Sequence, residues 1–174
     1  SAATLPIHRT DVKAGWVLLV GVGPDDRLSL DSLRRAAAAA ARQARSMRAS
    51  RVVAAPLVAA GEFTGEAVAR CWVEGAELAL TPAGPAAAAS DRPRTWRLLI
   101  APDGDAAAMK QGVAEGEAAA HGCREARRLV NLPPNHLTPE LLAGEARGLA
   151  ERYGYRCTVH GPAQLKRMGM GGIL

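Results

Sequence analysis

Near its start the chain reads as strand, then helix, then strand, an order that few folds accept. Residues Trp16 to Val22, WVLLVGV, are continuously apolar and rich in β-formers, as in a strand buried on both faces. Gly21-Val-Gly23-Pro24-Asp25 is a turn signal. Ser29 or Asp31 can then cap a helix over Leu30 to Ala49. Arg51 to Val58, RVVAAPLV, supplies a second apolar strand. Two strands joined through a helix predict a crossover with parallel strands. On a helical wheel Arg34, Arg35, Arg42, Arg45 and Arg48 share one side of the intervening helix, and alanines fill the rest.

The same alternation continues downstream. Thr64 to Leu80 is helical, with Glu66, Arg70, Glu74 and Glu77 as its polar stripe. Thr81 to Pro93, TPAGPAAAASDRP, is a Pro/Ala/Ser-rich connection expected on the surface. Thr95 to Ala101 is a further strand, and Asp105 can cap the longest helix, Ala106 to Val130. That helix carries Gly112, Gly116 and Gly122, each costing about 1 kcal/mol relative to alanine. Glycines kept at that cost predict a close approach of another backbone. Asn131 to Glu140, NLPPNHLTPE, breaks the helix. Thr138 as N-cap, Pro139 at the first position and Glu140 beside the positive helix end then open the next one. Its buried face is expected at Leu141, Leu142, Ala146, Leu149 and Ala150, and Gly154 ends it. Tyr155 to His160 alternates as a half-covered strand does, and Pro162 to Met168 is a short helix. No internal repeat is present.

Composition says what such a core is made of. The chain has 174 residues, 48% of them hydrophobic but only 3% aromatic. Its core must therefore be built from Ala, Val and Leu, which bury little area per residue, so a partner surface is expected. The net charge is +5. Basic residues spread along helices read as solvated faces, although an arginine stripe permits contact with nucleic acid. Three cysteines, Cys71, Cys123 and Cys157, show no disulfide or CxxC spacing, which suits a reducing compartment. No signal-like segment and no run of ~18 apolar residues is present, so the expected location is the cytoplasm, away from membranes. Ser1 reads as a processed or cut start, and the apolar Ile173-Leu174 end as an interruption inside a larger fold.

Candidate chemistry is sparse. Gly21-Val-Gly23 follows a strand, but it lacks the third glycine of a dinucleotide site and is read as a strand-to-helix turn. His121 and Cys123 lie two apart on a helix and face different directions. Cys157 and His160 fall on opposite faces of a strand, so a tetrahedral zinc site is not expected from these residues. Glu115 and Glu117 read as solvent-facing rather than as an acid–base pair. Asn131 and Asn135 read as backbone-binding residues of a stiff loop. No catalytic, substrate-binding or metal-ligating residue is assigned within the chain.

One stretch adds a resemblance. Ala126-Arg127-x-Leu129-Val130-Asn131, Pro134-Asn135-x-Leu137-Thr138-Pro139 and Gly169-Met170-Gly171-Gly172, in that order and spacing, resemble the entry into the catalytic domain of M17 leucyl aminopeptidases (the cytosol aminopeptidase family). More loosely, Gly21-x-Gly23, the Arg35-Ala-Ala helix and Glu74-Gly75-Ala-Glu-Leu look like the family's N-terminal domain, while the run LTPAGPAAAASD departs from its pattern. The resemblance implies an α/β fold: an N-terminal mixed-sheet, macro-like α/β domain over residues 1–104, and a linker helix over 105–130. The first helix–strand units of a metallopeptidase catalytic domain would follow over 131–174. It implies a homo-hexamer, a peptide substrate, and two divalent metals, zinc or manganese, held with a bridging water by lysine, aspartate and glutamate. Those ligands would all lie downstream of Gly172, on a C-terminal catalytic portion, so the chain alone would bind no metal and be inactive. The competing expectations are a DNA-binding module and a catalytically inactive assembly or regulatory protein on the same fold.

Overall fold

The computed structural model describes residues 3–11, 15–49, 51–55, 63–81, 98–100 and 105–173. They fall into two compact units, Ser1–Arg128 and Leu129–Leu174.

The first unit mixes antiparallel and parallel strand pairs with helices. β1 (Thr4–His8) and β2 (Trp16–Val20) are antiparallel, in register from Thr4 opposite Val20 to His8 opposite Trp16. β3 (Val52–Ala54) and β4 (Leu98–Ile100) are parallel. The predicted crossover joined β2 to β3; among the described residues the parallel pair is β3 with β4, and β2 pairs with β1. A short connection favours the antiparallel neighbour. At its mouth the Arg9 amide donates to the Gly15 carbonyl at 2.9 Å, with Gly15 at φ 70°. Pro6 and the polar HRTDVKAG run hid β1 in the sequence.

The expectation that β2 is buried on both faces also needs correction. Val20 packs into the core, but Trp16 and Leu19 are 51% and 53% exposed. Across the ladder Leu19 lies opposite Leu5, itself exposed, so one face of this pair is apolar and open in the chain.

Helix positions follow their caps. Around α1 (Leu30–Ser46), the Ser29 hydroxyl accepts from the Ser32 amide at 3.2 Å, and the Ser32 hydroxyl accepts from the Ser29 amide at 3.0 Å. This reciprocal pair satisfies two donors that a helix start leaves unpaired. Thr64 caps α2 (Gly65–Leu80), and Asp105 caps α3 (Ala106–Val130), accepting from the Ala107 and Ala108 amides.

Alanine and glycine set how closely these helices pack. Ala36 and Ala37 of α1 form a cluster with Trp72 of α2 and Ala54 of β3, and Leu33 joins Val68 and Cys71 in a second. A Cβ on Gly75 of α2 would lie 2.1 Å from the Arg34 carbonyl oxygen of α1. On the far side of α2, a Cβ on Gly112 of α3 would lie 2.1 Å from the Glu66 carbonyl oxygen, and one on Gly116 would lie 2.7 Å from that of Arg70. Backbone cannot yield as a side-chain tip can, so these positions accept only glycine. The close approach expected along the long helix is therefore real, and α2 of the same chain makes it. Gly122 is not part of it, having nothing within 4 Å of where its Cβ would be.

The second unit has well-formed local structure. Thr138 caps α4 (Pro139–Tyr153), accepting from the Leu141 amide, and Gly154 closes it at φ 73°. Gly154 and Tyr155 both donate to the Ala150 carbonyl, at 2.8 and 3.2 Å. At the start of α4, Glu140's own backbone amide and the Thr138 hydroxyl hold its carboxyl below the ordinary value. α5 (Pro162–Arg167) follows. Residues 155–160 are not in a strand ladder, unlike the expectation, although Cys157 and Val159 are half-buried in alternation with exposed neighbours. The buried face expected on α4 is mostly open: Ala150 is buried, Ala146 and Leu149 are half-buried, and Leu141 and Leu142 are 53% and 47% exposed.

Candidate functional site

The densest polar cluster is built where α2 meets α1 and α3. Glu74 sits on α2 next to Gly75, at the point of closest approach to α1, and its side chain is only 9% exposed. Its carboxylate accepts from Arg34 Nε of α1 at 2.7 Å and from Arg70 Nε, one turn earlier, at 2.9 Å. Arg70 continues toward Glu115 of α3 at 3.7 Å, and Arg34 also donates to the Cys71 thiol at 3.5 Å. Burial alone would raise the Glu74 carboxyl; the hydrogen bonds from Arg70 and Arg34 outweigh it and hold the group below the usual carboxylate range. Arg34 is correspondingly raised by its bond to Glu74. Burial pushes the Cys71 thiol up, which keeps it protonated and unreactive.

A second tie lies further along. Arg124 of α3 bonds the Glu77 carboxylate, and Arg127 donates to the Leu78 carbonyl at the end of α2. Both clusters bind helix to helix.

The polar stripe read along α2 therefore divides between partners, with Glu74 turned to α1 and Glu77 to α3. Sequence reasoning placed Glu74 on that stripe but missed its burial, because its partner Arg34 lies forty residues away and no local spacing joins them. The arginine stripe on α1 divides as well. Arg34 turns into the helix interface and Arg35 pairs with Asp31 at 3.0 Å, leaving Arg42 and Arg45 exposed with no ion pair among the described residues; Arg48, expected on a helix running to Ala49, is exposed beyond the helix end at Ser46, at φ 55°.

The remaining sequence candidates stay apart. Gly23, at φ 100°, makes a turn whose helix begins only at Leu30, after a short 3-10 turn at Asp25–Arg27. A phosphate-binding loop would run straight into its helix. His121 lies beside Arg124, while Cys123 is exposed. Cys157 is half-buried and His160 exposed. Glu115 faces Arg70 and Gln111, and Glu117 is exposed. In the 131–138 loop the His136 and Leu137 amides both donate to the Pro133 carbonyl, a self-contained turn. Among the described residues no three His, Cys, Asp or Glu side chains come together as metal ligands could, and no helix is long and apolar enough to cross a membrane. The donor set of these residues does not fit a two-metal centre.

An α/β scaffold of tightly packed helices is thus what the described residues define. Residues 1–80 match the family model described as "Cytosol aminopeptidase family, N-terminal domain". A probable cytosol aminopeptidase of Roseiflexus castenholzii is 38% identical over 98% of this chain and 36% of its own length. The solved structure titled "Bottromycin maturation enzyme BotP in complex with Mn" superposes with a TM-score of 0.78 at 30% identity, over 98% of this chain and 35% of that one. A tomato leucine aminopeptidase mutant, at 23% identity and a TM-score of 0.78 over 97% of this chain and 33% of its own, shares the fold. Along almost its whole length the chain is similar to an N-terminal portion of cytosol aminopeptidases, and its first 80 residues match that family's N-terminal domain. It spans about a third of the length of the relatives it matches.

Proposed function

We propose that this chain is the N-terminal part of a two-metal leucyl-type aminopeptidase that removes N-terminal residues from peptides. It supplies scaffold and oligomer contacts, and the metal ligands belong to a C-terminal catalytic portion on the same or a separate polypeptide. One observation carries the reading: identity to a probable cytosol aminopeptidase runs over 98% of the chain, both units included. The complete enzyme would hold two zinc or manganese ions that polarise the peptide carbonyl and acidify a bound water, assemble as a hexamer, and work in the cytoplasm. The parts proposed for this chain are residues 1–104 as N-terminal domain, 105–130 as linker helix and 131–174 as the beginning of the catalytic domain. Within the first unit, the Glu74 tie would hold α1 to α2 and the Glu77 tie α3 to α2.

Hydrolysis of a leucyl anilide tests the reading. The chain alone should show no turnover with manganese or zinc. Addition or fusion of a C-terminal portion should give metal-dependent turnover that a chelator abolishes. Turnover by the isolated chain overturns the division of labour. A combined protein that folds and binds no metal points to an inactive assembly protein on the same fold.

A second reading, duplex DNA binding along α1 and the turn that follows it, is favoured by the exposed Arg42, Arg45 and Arg48. No aromatic residue interleaves them for stacking. If it holds, the affinity falls steeply and linearly with log salt, and an Arg42→Ala/Arg45→Ala/Arg48→Ala variant flattens that slope by about three.

A further inference from the structure

Charge along α1 and the turn after it is of one sign. From Ser32 to Gly61 the sequence has six arginines and no Asp or Glu. Arg34 and Arg35 are taken up in ion pairs with Glu74 and Asp31. The other four, Arg42, Arg45, Arg48 and Arg51, recur at every third position and are all exposed. Among the described residues none of the four makes a side-chain hydrogen bond or an ion pair. The negative end of a helix is served by a cation in its last turn, which accounts for Arg45 alone. Arg48 is kept at a cost. The Ala49 amide donates to the Ala44 carbonyl at 3.0 Å and the Arg48 amide to the Arg45 carbonyl at 2.9 Å. This closure puts Arg48 in the left-handed position where glycine is usual, and among the described residues it is the only non-glycine at positive φ. A charged side chain retained there, in series with three others that nothing neutralises, marks a surface that meets anions.

We propose that Arg42, Arg45, Arg48 and Arg51 form a binding surface for a flexible chain of phosphates, of the kind that inorganic polyphosphate presents. All four are arginine, whose planar fork pairs with phosphate oxygens two at a time. No aromatic residue lies between Val17 and Glu62, so this stretch offers unpaired bases nothing to stack on. Among the described residues α1 has no exposed large apolar side chain to anchor a protein partner. The path of the arginines favours a flexible polyanion over a duplex. Three residues turn a helix by about 300°, so Arg45 lies about 60° round from Arg42. Arg48 then lies beyond the helix end and Arg51 stands just before β3. A duplex is stiff over so short a span. Six residues of helix rise about 9 Å, over which one DNA strand presents only about three phosphates. A flexible phosphate chain can bend to bring a charge to each arginine. Such a surface is independent of any aminopeptidase activity.

The test is titration of the full chain with long-chain inorganic polyphosphate and, at equal phosphate concentration, with duplex DNA, each at several salt concentrations. Polyphosphate should bind the more tightly, with log affinity falling linearly against log salt. Arg42→Gln/Arg45→Gln/Arg48→Gln/Arg51→Gln should weaken its binding by about 30-fold or more and flatten that line. Arg147→Gln/Arg152→Gln/Arg156→Gln/Arg167→Gln removes the same charge from exposed positions of the second unit and should change the affinity by less than about threefold. Arg48→Gly separates binding from folding. Its melting temperature should hold or rise as the strained position is relieved, while polyphosphate affinity falls by about threefold. The proposal is overturned if the first fourfold variant binds like the wild type, if both fourfold variants weaken binding equally, or if Arg48→Gly leaves the affinity unchanged. Tighter binding of duplex DNA than of polyphosphate also overturns it, and leaves the duplex reading standing.

Discussion

Helices α3 and α4 both carry glycines four residues apart, Gly112 and Gly116 in one, Gly144 and Gly148 in the other. In α3 the pair presses on the α2 backbone; in α4 neither glycine has an atom within 4 Å of where a Cβ would sit. The same residue at the same spacing closes an interface in the first unit and lies against open space in the second. A glycine pair in a helix therefore marks a contact only where a second helix is there to receive it. The contrast extends to the apolar residues, since Leu33 is 1% exposed whereas Leu142, equally apolar and on an equally regular helix, is 47% exposed.

The sharpest way to break this contrast is to fill the glycines. Gly112→Ala and Gly75→Ala should each cost about 3 kcal/mol, the upper range of overpacking, because the added methyl meets backbone. Gly144→Ala should instead stabilise α4 by about 0.5–1 kcal/mol through lower backbone entropy. Urea midpoints for the first pair and helicity by circular dichroism for the third would check this. Equal effects in the two helices would remove the distinction.

Next in size is Glu74→Gln, which leaves Arg34 and Arg70 without a carboxylate. Both arginines reach partly into solvent, so about 2 kcal/mol is expected, below the cost for a fully buried pair. Because Glu74 is held below its ordinary value in the folded chain, its contribution is complete above the unfolded carboxylate range. It disappears as pH falls through the lower folded value. Stability measured against pH should therefore fall less steeply in acid for Glu74→Gln than for the wild type. Identical slopes would show that the carboxylate is not held this way.

The smallest effects concern caps. Ser29→Ala and Thr138→Ala each remove one bond at a helix start, worth about 1 kcal/mol. In the first unit that loss should appear in the global melting transition. In the second it should appear only as fraying of α4, seen in the exchange rates of its first amides. A global shift from Thr138→Ala would mean that the second unit is coupled to a core of its own.

Local chemistry made the helices legible. Asp105 and Thr138 each cap the helix that the sequence assigned to them, Ser29 rather than Asp31 caps α1, and Gly154 adopts the left-handed turn expected of it, whereas Thr64, read as a helical residue, proves to be a cap. Strand pairing was less legible, because pairing is decided by connections and by which face finds a cover. Thus β1 was hidden by Pro6, and β2, apolar throughout, turned out half open. Glu74 was legible only as part of a polar stripe; its burial against Arg34 was not, since a buried carboxylate is recognised by partners that only folding brings near. The apolar face of α4 was read correctly as apolar, but its burial was not, since Leu141 and Leu142 are exposed where a core was expected.

Native-state hydrogen exchange of the isolated chain tests the central contrast most directly. Amides of α1 and α2 should exchange only with global unfolding, while those of α4, with no buried layer behind them, should exchange at least about 100-fold faster. Equal protection of α4 in a monomeric chain would contradict the account, because the second unit would then already possess the core that its exposed leucines and methionines lack.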